Sequence, residues 1–117
     1  METEDIAKHK YSLWLPMTDP GDVACLGKLA EEANELAGII ARCIIQGGLD
    51  EVEPVTRKPN RQALEEEIAD VTYMLDLTIR RFRLDTVAIL QRSAAKFEVK
   101  LSWLRDIDAL RQDPGHE

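Results

Sequence analysis

Leu26-Gly27-Lys28-Leu29-Ala30-Glu31-Glu32-Ala33-Asn34-Glu35-Leu36-Ala37-Gly38-Ile39-Ile40 is the stretch on which the reading of this chain turns. Its apolar residues recur at the three-and-four spacing of an amphipathic helix. On a wheel that advances about 100° per residue, Glu32 falls inside the apolar arc, between Leu36 and Ile39, and Glu35 lies one step to the side. Leu64-Glu65-Glu66-Glu67-Ile68-Ala69-Asp70-Val71-Thr72-Tyr73-Met74-Leu75 repeats the arrangement 35 residues later. There Glu67 sits between Val71 and Met74, and Asp70 lies one step aside. Two helices thus each offer an i, i+3 pair of acids on the face they are expected to bury.

Burying an unpaired carboxylate is costly, and gathering four like charges costs more. Basic partners in an interhelical salt-bridge network offer one remedy, and a divalent cation offers another. Few basic residues share these arcs, Lys28 being the one near Glu32. Mg²⁺ takes hard oxygen ligands, a few carboxylates together with water and substrate phosphates. The four acids Glu32, Glu35, Glu67 and Asp70 are therefore read as metal ligands.

Outward from these motifs, Asp22 is expected to cap a first long helix that ends near Gln46, where Gly47 and Gly48 stop it. The segment 47–59 has no period and is read as a loop, long enough to suggest a functional one. Asn60 is the expected N-cap of a second helix, Arg61 to Phe82. Asp85 caps a third, which reaches about Leu110. A short helix from about Glu4 to Trp14 precedes Pro16 and Pro20, which are expected to break the chain, and 113–117 reads as a frayed tail. This gives an N-terminal arm (1–20), one domain (21–112) and a tail. The fold class is all-α, three main helices plus a short N-terminal one, with a four-helix-bundle-type core completed by oligomerisation, since a chain of 117 residues buries little by itself.

Lys and Arg number 15 against 22 Asp and Glu, a net charge of −7. That sign excludes non-specific binding to a nucleic acid polymer. No stretch has the length and apolarity of a membrane span. The two cysteines, Cys25 and Cys43, would lie roughly 27 Å apart on one helix, out of disulfide reach. With no signal sequence evident, a cytoplasmic protein is expected.

Glu31-Glu32-Ala33-Asn34-Glu35 has the form EExxE and Glu67-Ile68-Ala69-Asp70 the form ExxD. Over residues 24–104 the chain resembles the all-α nucleoside triphosphate pyrophosphatases, and most of all the small MazG-like members, phage-borne ones included. Thirty-one residues separate Glu35 from Glu67, somewhat more than in many members, and the extra length falls in the 47–60 loop. The resemblance implies Mg²⁺-dependent hydrolysis of a nucleoside triphosphate to the monophosphate and pyrophosphate, with Mn²⁺ able to substitute. It implies a homodimer or dimer-of-dimers tetramer, and deoxynucleotide pool control with dGTP (or GTP) or dUTP as candidate substrates. Glu31 becomes the residue that orients or deprotonates water, with Glu32 beside it.

Phosphates also need donors. Arg92, Lys96 and Lys100 follow one another at i+4 steps on the third helix, with Trp103 on the same face, and the resemblance favours Lys96 and Lys100 as phosphate contacts. Lys28 and the 57–61 segment are further sources of positive charge. Asn60 could also reach a nucleotide, although capping accounts for it, and Trp103 could stack on a base. Two other readings compete: a non-catalytic helical oligomer that binds a nucleotide or partner protein, and a phosphoribosyl-ATP pyrophosphohydrolase of histidine synthesis.

Overall fold

The computed structural model describes residues 14–111. Three helices account for most of them: α1 (Pro20–Ile45), α2 (Asn60–Phe82) and α3 (Thr86–Arg111). The described residues contain no strand, only an isolated antiparallel bridge between Val52 and Pro59, so the architecture is all-α as expected. The expected short helix before Trp14 and the 113–117 tail lie outside the described residues. None of the described helices is long and apolar enough to cross a membrane.

The cap of α1 differs from the expected one. Asp19, not Asp22, is the N-cap, and Pro20 begins the helix instead of breaking the chain. Proline suits a first helical position because its missing N–H would have no partner there. The Asp19 carboxylate accepts from the Asp22 amide at 2.9 Å. At the other end the Gly48 amide donates to the Cys43 carbonyl at 2.8 Å, the bond that closes a Schellman motif. Gly47 and Gly48 supply the positive φ values, 93° and 129°, that this turn requires.

α1 and α2 run antiparallel. Arg81, near the end of α2, donates to Asp22 at 2.9 Å and to Asp19 at 3.1 Å, both at the start of α1. Thr78 meets Cys25 one turn further in. Asn60, at the start of α2, donates to Gln46 and to the Gly48 carbonyl just beyond the end of α1. Between these ties the buried apolar residues are Cys25, Cys43, Ala63 and Met74. Both cysteines are free thiols. Leu29, Leu36, Ile39, Leu64 and Val71 flank this core with partial burial, while Leu26, Ile40, Ile68 and Leu75 are more exposed.

The connection between α1 and α2 is tied into a defined turn. The Glu53 amide donates to the Lys58 carbonyl and the Arg57 amide to the Glu53 carbonyl. Glu53 folds its own carboxylate back onto the amides of Val55 and Thr56. Lys58 then reaches Glu66 on α2 at 2.6 Å. α3 belongs to a separate unit that begins at Phe82. Asp85 caps it as expected, accepting from the Ala88 amide at 3.0 Å.

Candidate metal centre

Glu32 and Glu35 on α1 and Glu67 on α2 converge, each offering a carboxylate oxygen within 4.8 Å of the others. Helical spacing brings the first two together, and the antiparallel partner brings the third. Glu32 is buried at 5% exposure, Glu67 is half-buried and Glu35 is exposed. The expected entry of acids into the apolar arcs is thus met most fully by Glu32. Asp70 is half-buried one turn along α2 from Glu67, and it is not among the three that converge.

Two oxygens in this group, Glu32 Oε2 and Glu67 Oε2, are buried without a hydrogen-bond partner. Such orphaned acceptors are uncommon in folded proteins, and each carries an uncompensated desolvation cost. Glu32 Oε1 has one compensating charge, Lys28 Nζ at 3.2 Å, which is also 3.4 Å from Glu31. Glu32 first, then Glu31, raise the Lys28 pKa above its ordinary value. The opposite holds across the cluster: the charge on Glu32, aided by partial desolvation and by Glu67 and Glu31, pushes the Glu35 carboxyl above the usual carboxylate range. One ammonium group does not balance these acids.

The donor set fits a hard divalent cation. Ligands on opposite sides of a Mg²⁺ ion stand about 4.2 Å apart, at metal–oxygen distances of about 2.1 Å. A carboxylate group confined within 4.8 Å is close to that spread. Charge, oxygen donors and orphaned buried acceptors all point the same way.

Of the remaining sequence-derived residues, Glu31 is exposed beside Lys28 on α1. Asn60 is wholly buried. Its side chain does not cap α2. Its amide oxygen accepts from Arg42 Nε at 3.2 Å, and its amide nitrogen donates to Gln46 Oε1 and the Gly48 carbonyl at 3.0 and 3.2 Å. Arg92, Lys96, Lys100 and Trp103 are exposed on α3. Lys100 Nζ lies 5.0 Å from the centre of the Trp103 ring, within cation–π range.

Arg42 was missed by the sequence reading, although its signal was available. It stands seven residues after Glu35 and three after Ile39, and so shares their side of α1. Together with Lys58, Glu53 and Glu67 it lines a cavity of about 370 Å³ beside the carboxylates. A second cavity, about 660 Å³, is lined by Lys28 together with Cys25, Met74, Leu77 and Arg81 among others. Compared with known proteins, the chain matches no described family, no curated protein and no solved structure.

Proposed function

We propose that the chain is a Mg²⁺-dependent nucleoside triphosphate pyrophosphohydrolase, cytoplasmic and acting as a homodimer or a dimer of dimers. The observation that carries this reading is the convergence of Glu32, Glu35 and Glu67 with two buried oxygens left unpartnered. Asp70, three residues beyond Glu67 and half-buried, is proposed as the fourth ligand. A divalent ion held there supplies phosphate charge neutralisation and a more acidic water.

The chain's own residues do the rest. Glu31 is exposed beside the cluster, where a carboxylate can orient a water and accept its proton. Lys28 pairs with Glu32 at 3.2 Å, and its ammonium group is a proposed donor for a substrate phosphate. Lys96 and Lys100 on α3 are further proposed phosphate contacts. Water adds across the bond between the α- and β-phosphates, so the products are a nucleoside monophosphate and pyrophosphate. The exposed apolar residues Leu26, Ile40, Ile68 and Leu75 on α1 and α2 support assembly with further copies.

The test is pyrophosphate release from a panel of ribo- and deoxynucleoside triphosphates, with and without Mg²⁺. Metal-dependent release that disappears in Glu35→Gln supports the reading. No release from any nucleotide, or release that survives the substitution unchanged, refutes it.

A further inference from the structure

The cavity beside the carboxylates has one wall that is chemically part of the acid cluster and another that belongs to the connecting turn. Glu67 is common to the cavity and to the cluster. Ile39, Val55 and Ala63 supply apolar surface, and Arg42 and Lys58 supply positive charge. Its volume, about 370 Å³, is that of a small-ligand site.

The balance of charge decides what such a cavity suits. Lys58 is already paired with Glu66 at 2.6 Å. Arg42 is close enough to Glu53 to help lower the pKa of that carboxyl. With Glu53, Glu66 and Glu67 set against Arg42 and Lys58, the lining is net acidic, which disfavours a bare polyphosphate. What remains is apolar wall and a planar guanidinium. Arg42 Nε is held by Asn60, and Asn60 is itself fixed by Gln46 and Gly48 in a wholly buried position. A guanidinium anchored at Nε keeps a defined plane while its terminal nitrogens are free to donate to, or stack on, a flat heteroaromatic ring.

Building on the proposed activity, we infer that this cavity takes the nucleoside end of the substrate, with Arg42 as its binding residue, Asn60 as the positioning residue behind it and the 53–58 turn as the selective wall. The phosphates then lie toward Glu67 and its neighbours. The connection between the two acid motifs thereby acquires a role: it builds the far side of the nucleoside pocket.

The experiment is calorimetric binding in Mg²⁺ with the full chain, using two probes: a nucleoside triphosphate with a non-hydrolysable α,β-bridge, and inorganic tripolyphosphate, which has no nucleoside. Arg42→Ala removes the guanidinium, and Val55→Trp fills the cavity from an exposed position that does not threaten folding. Both variants are expected to weaken nucleotide binding by at least about tenfold, the scale of one charge-assisted contact, and to leave tripolyphosphate binding unchanged. Equal weakening of both probes would assign the cavity to phosphates and overturn the inference. Unchanged nucleotide binding in both variants, or no nucleotide binding by the parent chain, would overturn it as well. A parent chain that binds nucleotide through Arg42 and Val55 yet releases no pyrophosphate would refute the proposed activity and leave the pocket standing.

Discussion

Asn60 and Glu32 are both buried polar side chains of the α1–α2 pair, 0% and 5% exposed, and their surroundings treat them in opposite ways. Asn60 has a partner for its amide oxygen and two for its amide nitrogen. Glu32 shares Lys28 with Glu31, keeps one oxygen unpartnered and stands within a group of like charges. A buried polar group whose hydrogen bonds are complete stabilises a unique arrangement. One left incomplete among like charges destabilises the fold until something else arrives. The first is therefore architecture and the second a candidate site, and the distinction is open to measurement.

The largest effect expected is on turnover. Glu67→Gln and Glu35→Gln should each lower kcat/KM at least about thousand-fold, as loss of a central electrostatic element does, with the helical circular dichroism spectrum retained. Asp70→Asn should do the same if the fourth acid serves the ion. Full activity in Asp70→Asn would confine the ligand set to the three acids that converge. Next in size, the Lys96→Ala, Lys100→Ala double variant should lose roughly ten- to thousand-fold in kcat/KM while its Mg²⁺ affinity, measured by titration, stays constant. An ammonium group cannot ligate a cation, so this result separates substrate binding from metal binding. Unchanged kinetics would leave that face of α3 merely solvated.

Asn60→Ala should reverse the pattern of the acid variants. It strands Arg42 Nε, the Gln46 amide oxygen and the Gly48 carbonyl, and should cost about 2–4 kcal/mol in urea denaturation. Its Mg²⁺ affinity should survive wherever the protein remains folded. If Asn60→Ala is as stable as the parent, the complete network is not what holds the two helices in register. A smaller shift is expected from the metal itself. Mg²⁺ should raise the Tm of the parent chain, by the equivalent of about 2.7 kcal/mol at a hundredfold excess over Kd, and should do less for Glu35→Gln. In chelator, Glu35→Gln should melt above the parent because a like charge has been removed from beside Glu32. A lower Tm in chelator would mean that Glu35 is a structural residue.

What was legible in the sequence and what was not divides along the same line. Helical periodicity gave the three helices, and Asp85 was identifiable as a cap because it directly precedes an uninterrupted pattern. The position of Glu32 within an apolar arc announced its burial, since a helix wheel fixes direction from spacing alone. Pro20 reads as a breaker in the sequence because proline at a first helical position and proline as a breaker look alike until the cap residue is known. Asn60 reads as a cap in the sequence, but its partners Arg42, Gln46 and Gly48 are 18, 14 and 12 residues away. Spacing says nothing about contacts of that range. The 47–59 segment looked structureless because its order comes from one carboxylate, Glu53, and from cross-turn amide bonds, neither of which has a period. Arg42 could have been singled out by its side of α1, but its cavity exists only once that turn is folded.

The smallest effect expected concerns that same carboxylate, which behaves like Asn60 and unlike the acid cluster. Glu53 accepts from the Thr56 and Val55 amides, and these bonds, the Thr56 amide foremost, with a minor contribution from Arg42, hold its pKa below the ordinary value of 4.5. A carboxyl whose pKa is lower in the folded state than in the unfolded chain adds stability that is fully present above the unfolded value and is lost as pH falls through the folded one. Glu53→Ala should therefore melt a few degrees below the parent near neutral pH, and the gap should narrow below about pH 4.5 as the parent's own carboxyl becomes protonated. Melting both proteins in chelator across that range keeps the metal out of the comparison. A gap that stays constant with pH would mean that Glu53 contributes by its size rather than its charge. A gap that widens in acid would mean that the two amide bonds do not favour the ionised form. The turn would then be held by the Lys58–Glu66 pair and the backbone bridge at Val52 and Pro59.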